Sequence, residues 1–261
     1  MLVVISPAKK LDWAETRPEV TPPRMQDQAN LLAARARELS VNDLKRLMRL
    51  SDKLAVLNYG RFAALEEDPT PENSRPAAET FAGDTYQGLD WASLDEDAQR
   101  FGDGHLRILS GLYGVLRPRD AIQPYRLEMG TRLETERGRS LYEFWGDRIA
   151  RALAEDAAAV GAQAVLNCAS QEYFGAVDTE ALGLRIVTPR FLDEKNGEAK
   201  VISFHAKRAR GAMARFVCEH RIDSVDGLRA FDAGGYAYAP ELSQPDAPAF
   251  FRGAEAAAKA A

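Results

Sequence analysis

Four apolar residues without polar alternation, Leu2 to Ile5, stand near the start of the chain and give way to Ser6-Pro7-Ala8-Lys9-Lys10. An uninterrupted run of this length predicts a strand buried on both faces, followed by a loop at its C-terminal end. Such loops are where α/β sheets hold ligands. Pro18, Pro22 and Pro23 then mark a crossing loop, after which Met25, Ala29, Leu32, Ala36 and Leu39 recur at helical spacing. Ser40, with Asp43 three residues on, predicts the cap of a second helix that buries Leu44, Leu47 and Met48. Ser51 caps a third, running through Leu54, Ala55, Asn58, Phe62 and Leu65. Residues 25–66 are therefore an N-terminal helical region, closed by the loop EEDPTPENSRP.

Beyond residue 160 the pattern changes. AVLNCAS, residues 164–170, is another short apolar run that ends in polar groups. Two strands, in RIVTPRFLDE and EAKVISFHA, face each other across Asn196-Gly197, a strong short-range hairpin signal. Helical spacing returns at Ala209, Ala212, Met213, Phe216 and Val217, and the alanine-rich tail GAEAAAKAA either frays or forms a loose terminal helix. The chain shows no internal repeat. This alternation predicts an α/β (or α+β) fold with a central mixed sheet, formed as a single domain over residues 1–261.

Composition narrows the class. The 261 residues are 46% hydrophobic and 28% charged, enough to bury a sizeable core. No stretch approaches the ~20 apolar residues of a membrane span, and the first apolar run is too short for a signal sequence, so a cytoplasmic protein is expected. Cys168 and Cys218 lack CxxC spacing, and His105, His205 and His220 are scattered. Neither a disulfide framework nor a metal site is signalled, and no cofactor is expected.

The net charge of −5 is unevenly distributed. Residues 105–139 hold seven arginines against four acids, and residues 200–215 hold Lys200, Lys207, Arg208, Arg210 and Arg215 with no acid. Basic patches on an acidic protein point to a defined anionic partner. In the first patch, Leu106, Leu109, Leu112 and Leu116 are interrupted by Gly111 and Gly114 and followed by Arg117, Arg119 and Arg126. This is similar to a helix-hairpin-helix element, whose glycine turn offers backbone N–H groups to a phosphate. The alternative is a glycine-ended helix and a loop of surface arginines. A rival position for the element is the helix pair of residues 40–66, with Lys45, Arg46, Arg49, Lys53 and Arg61 as phosphate partners. In the second patch, Lys207, Arg208 and Arg210 fall in the expected first turn of a helix, where cations are disfavoured by ~0.3–1 kcal/mol each. Either an anion offsets that arrangement, or the helix starts a turn away and the face is solvated.

A third constellation looks more like an active site. Ser6, Lys9, Lys10, Asn167, Ser170 and Glu172 follow the two predicted buried strands, and they converge if those strands are parallel neighbours. Arg126, Glu128 and Tyr173 are natural additions. Lys10, Arg126 and Glu172 are the candidates for acid–base work and anion holding, within a pocket of Ser6, Glu128, Asn167 and Ser170. Against this, Glu128 is equally able to pair with Arg126 or Arg132, Ser170 to cap a helix, and Lys9 and Lys10 to be solvated. No Walker A, GxGxxG after a strand, GxSxG or HExxH is present.

Several segments in order, MLVVISPAKKLD, LMRLSDKLAVLN, HLRILSGLYGVLRPRDAIQPYRLEMG, LYEFWGD, NCASQEYF, FLDEKNG and ISFHAKRARGAMARF, resemble the YaaA family of bacterial peroxide-stress proteins. Residues 221–261 carry no motif of it. The resemblance implies a cytoplasmic protein that limits iron-mediated oxidative damage, with a helix-hairpin-helix-like element and affinity for DNA; it implies no catalytic activity. It also favours phosphate binding over solvated faces for Arg117, Arg119, Arg126, Lys207, Arg208 and Arg210; Lys9, Lys10, Gly111 and Gly114 are further candidates for phosphate contact. Direct iron chelation is not expected, because the three histidines are far apart. Two functions follow as expectations. One is a binder of DNA shape or structure rather than sequence. The other is an enzyme acting on a nucleotide or nucleobase, with a nucleotide-like small molecule in the polar pocket.

Overall fold

The computed structural model describes residues 1–13 and 19–259; Pro18 and the last two residues of the tail lie outside them. The opening apolar run forms β1 (Leu2–Ile5), buried at every position. It lies at the centre of a five-stranded sheet with β2 (Leu106–Ser110), β3 (Gly114–Leu116), β4 (Ala164–Cys168) and β5 (Arg185–Val187), in the order β3-β2-β1-β4-β5. β1 runs parallel to both neighbours, with Val3 opposite Leu106 and Leu2 opposite Val165. β5 is also parallel, and only β3 is antiparallel. The two buried strands expected from sequence are thus parallel neighbours. Because the chain builds outward from β1 to β2 and then returns to the other side for β4, the sheet has its switch point between β1 and β4.

The N-terminal helices form where their caps predict. Helix α1 spans Gln26–Arg37 and α2 spans Val41–Met48, with Ser40 and Asp43 closing a reciprocal capping box. Helix α3 spans Asp52–Ala64, and Ser51 accepts from the Leu54 N–H. Farther on come α4 (Asp84–Leu89), α5 (Glu96–His105), α6 (Leu141–Trp145), α7 (Arg148–Ala159), α8 (Gln171–Phe174) and α9 (Ser203–His220). A second sheet joins β6 (Arg190–Lys195), β7 (Glu198–Lys200), β8 (Ala237–Tyr238) and β9 (Ala249–Arg252) in the order β7-β6-β9-β8. Its β6–β7 hairpin turns at Asn196-Gly197, both at positive φ (56° and 75°), as a two-residue turn of this type demands.

Helix α9 ties the two sheets together by crossing α4 at very short range. A Cβ on Gly88 would stand 2.0 Å from the Arg208 carbonyl oxygen, and one on Gly211 would stand 1.7 Å from that of Thr85. Glycine on both helices is what permits this approach.

One expectation fails. Residues 106–116 are a β-hairpin, not a helical hairpin: Ser110 pairs with Gly114, and the Ser110 hydroxyl accepts from the Tyr113 N–H at 2.9 Å. Every residue from Leu106 to Leu116 is buried, and a run buried on all sides carries no period that separates helix from strand. Gly111 and Gly114 therefore present no amides to an outside phosphate. A Cβ on Gly111 would meet the Leu127 carbonyl oxygen at 2.2 Å, while Gly114 has φ 69° and packs against Met25 and Trp145. Helices α2 and α3 follow one another through a turn at Arg49, which lies in the left-handed region.

Candidate functional site

The C-terminal ends of β1 and β4 are joined by side chains. Ser6, just beyond β1, accepts the N–H of Ser170, just beyond β4, at 2.8 Å, and the two hydroxyls stand 3.3 Å apart. Asn167 is buried and structural: it accepts from the Ala169 N–H and donates to Thr188 at 3.3 Å. Ser170 sits at the N-cap position of α8 without a side-chain cap, leaving its hydroxyl to Ser6.

An extended segment crosses these strand ends. In Tyr125–Met129, Tyr125, Leu127 and Met129 are buried while Arg126 and Glu128 lie between them toward solvent, the period of two that an extended backbone imposes. Arg126 donates from Nε (3.1 Å) and Nη2 (2.8 Å) to Glu128 Oε1, and Lys9 Nζ lies 2.7 Å from Oε2. The Arg126 side chain is only 16% exposed, so it needs this anionic partner. Burial pushes the Glu128 carboxyl up, but the bonds from Lys9 and Arg126 together outweigh it and hold it below its ordinary range. Glu172, on α8, accepts the Gly130 N–H at 3.0 Å. Arg61 on α3 reaches the same neighbourhood, where burial first and the Arg126 charge second lower its pKa.

Beneath these charges lies a floor of tyrosines. Tyr86 donates to the Ser6 carbonyl (3.1 Å), and the Tyr125 hydroxyl stands 2.6 Å from Oγ of Ser110, the last residue of β2. Burial raises the pKa of Tyr86, Tyr125 and Tyr173, and for Tyr173 the nearby Glu172 and Glu128 add to it. Tyr173 is therefore a neutral hydroxyl beside two carboxylates. Sequence reasoning did not single out Tyr86 or Tyr125. Tyr125 was findable from its alternation with Arg126, whereas Tyr86 comes from a helix 80 residues away from its partner Ser6.

Other predicted residues are placed differently. Lys10 pairs in a two-residue strand with Ala82 and lines a separate cavity of about 400 Å³ with Glu79 and Asp90. Consecutive residues of an extended chain face opposite ways, so Lys9 joins Arg126 and Glu128 and Lys10 does not. Arg117 is held by Asp120 (2.8 Å) and by the Pro22 carbonyl, and Arg119 by Asp103 (2.8 Å). Neither is an open phosphate track. Helix α9 begins at Ser203, so Lys207, Arg208 and Arg210 lie beyond its first turn and the dipole argument for an anion there lapses.

These three cations have no acidic partner among the described residues, and at about 100° per residue they do not share a face. Arg210, half-buried, stands near the end of β4: its charge opposes the burial that raises the Cys168 thiol to about 12. Lys207, one turn earlier, is on the same side. Arg208 faces the other way, into a cavity beside the second sheet. Among the described residues, no group of three His, Cys, Asp or Glu side chains is arranged to hold a metal ion, and no helix is long and apolar enough to cross a membrane.

Serines, a half-buried arginine, two carboxylates and tyrosine hydroxyls gathered at the switch point of parallel strands define a mixed α/β protein with a polar site at its strand ends. Comparison with known proteins narrows this. The family model of the peroxide stress protein YaaA matches residues 1–242, past the last motif legible by eye. A UPF0246 protein of Roseobacter denitrificans is 60% identical over 254 residues, covering 97% of this chain and 98% of the relative. One of Ruegeria pomeroyi is 57% identical with 97% and 98% covered, and one of a Jannaschia species is 57% identical over the full length of both. The chain belongs to the peroxide stress protein YaaA family.

Proposed function

We propose that this protein takes part in peroxide-stress protection by binding nucleic-acid phosphates at the edge of the strand-end site, reading DNA shape rather than sequence and limiting iron-mediated damage there. The observation that carries this reading is Lys207 and Arg210, two cations on one face of α9 without acidic partners among the described residues, beside the end of β4. On a protein of net charge −5, cations left unneutralised next to a polar site favour an anion held from outside. Phosphate contacts position a duplex without reporting its sequence. The double variant Lys207→Ala with Arg210→Ala is expected to weaken binding equally on two unrelated duplexes. It should also flatten the slope of log K against log salt by roughly 0.9 per lost contact. Anisotropy titrations at several salt concentrations measure both; unchanged affinity overturns the reading.

A second reading rests on a different observation, the convergence of Lys9, Arg126, Glu128, Glu172 and Tyr173 at the switch point. It is an enzyme acting on a nucleotide or nucleobase, with Arg126 and Lys9 holding the anionic part and Glu172 or Tyr173 exchanging a proton. Lys10 has no part in it. Arg126→Ala is expected to abolish rescue of a peroxide-sensitive deletion strain while leaving duplex affinity within about twofold, less than one phosphate contact supplies. Full rescue at normal protein level removes the inner site from function.

A further inference from the structure

We propose that the cavity between α9 and the second sheet is a binding site for a small organic anion with a flat, apolar body. The cavity has a volume of about 560 Å³, the size of a small-ligand site, and Phe204, His205, Arg208, Phe216, Tyr236 and Arg252 are among the residues that line it. It is separate from the strand-end site and independent of the DNA reading, because Arg208 lies on the face of α9 opposite Arg210.

Three observations point to the ligand class. Phe204 is 55% exposed at the cavity, an unusual cost for a large apolar ring, and it stands edge-on to its neighbour His205 with ring centroids 5.7 Å apart. Arg208, one turn along the same face, is exposed and without an acidic partner among the described residues, whereas the next cation on this face, Arg215, is bound by Glu219, Asp90 and Ser93. An apolar plate beside a free guanidinium suits a ring carrying a negative group.

The third observation is a network that fixes the cavity wall. Asp193 is buried and accepts from Arg252 Nε (2.7 Å) and from the Tyr236 hydroxyl (2.9 Å). Arg252 in turn lies 4.7 Å over the Tyr236 ring. His205 Nδ1 is shut off from solvent 3.4 Å from the same carboxylate, and it makes no hydrogen bond. Yet the His205 side chain is 39% exposed, so its accessible atoms are turned away from Asp193. An imidazole with Nδ1 closed in and its other edge open presents that edge to a ligand in the cavity.

Anilinonaphthalene sulfonate, an aromatic body with one anionic group, is the probe. It is expected to bind the full chain saturably. Arg208→Ala should raise its Kd about tenfold, the loss of one charge-assisted contact, and Phe204→Ala roughly fivefold. Leu57→Ser, on the exposed apolar face of α3, should leave the Kd unchanged. Displacement by a nucleoside monophosphate but not by benzoate assigns a ring–phosphate ligand, and the reverse assigns an aromatic carboxylate. Equal affinity in both cavity variants, loss of the signal in Leu57→Ser, or displacement by neither competitor overturns the proposal. Both altered cavity side chains are exposed, so unchanged thermal melting is the expected check that the fold is intact.

Discussion

Residues 105–139 and residues 200–215 look alike as sequence, each a basic patch in an acidic chain, and the structure treats them in opposite ways. In the first, Arg107 is buried against Asp156, Arg117 is held by Asp120, Arg119 by Asp103 and Arg126 by Glu128. In the second, Lys200 and Arg215 are paired, but Lys207, Arg208 and Arg210 are left without acidic partners among the described residues. The lesson is that a local surplus of cations says little until the acids that fold in from elsewhere are counted. Asp103 and Asp156 lie outside the first patch and hold Arg119 and Arg107, while Asp120 and Glu128 within it hold Arg117 and Arg126, so four of its seven arginines become scaffold.

The most damaging way to test this contrast is to remove an acid from the scaffold side. Asp156→Ala leaves Arg107, only 4% exposed, without its 2.6 Å partner. The expected loss is about 3–5 kcal/mol in urea unfolding, since a buried charge stripped of its partner is left uncompensated. A loss below about 1 kcal/mol, no more than an exposed pair is worth, shows that the patch is not structural.

Glu128→Gln acts at the boundary between scaffold and site, where one carboxylate serves both Arg126 and Lys9. At neutral pH it should cost about 1–2 kcal/mol, as expected for weakening charged hydrogen bonds. The sign with pH follows from the lowered pKa. The native protein's contribution from Glu128 is complete above 4.5, the value of the free carboxyl, and is lost as pH falls through the depressed folded value. Unfolding curves of the variant and the native protein should therefore converge in acid. A gap that persists at low pH shows that the ion pairs are not its source.

The smallest effect belongs to Arg119→Ala. Arg119 and Asp103 are about a third exposed (37% and 32%), so the pair is worth ~0–1 kcal/mol. Because Asp103 already neutralises this arginine, duplex affinity and its salt dependence should not move. A weakening comparable with that of the Lys207→Ala, Arg210→Ala double variant would place nucleic acid on the first patch as well and erase the contrast.

The sequence by itself determined the elements whose signals are local. Ser40 with Asp43 and Ser51 begin helices because their side chains satisfy N–H groups a turn away. Asn196-Gly197 turns the β6–β7 hairpin because both residues tolerate positive φ. The apolar runs at Leu2–Ile5 and Ala164–Cys168 become buried strands because they offer water nothing on either face.

Tertiary structure decided what depends on distant neighbours. Leu106–Leu116 is buried on every side, so its pattern carried no period, and pairing with β1 made it a strand hairpin rather than a helical one. The choice of Lys9 over Lys10 followed from the register of a two-residue strand against Phe81–Ala82. The start of α9 one turn early moved its cations out of the dipole's reach, and the crossing against Gly88 then directed Arg210 to the strand ends and Arg208 to the opposite cavity. Which arginines remain free for a ligand was settled last, by acids from other parts of the chain. Coulomb energy depends on separation in space, and separation in space is what local sequence does not record.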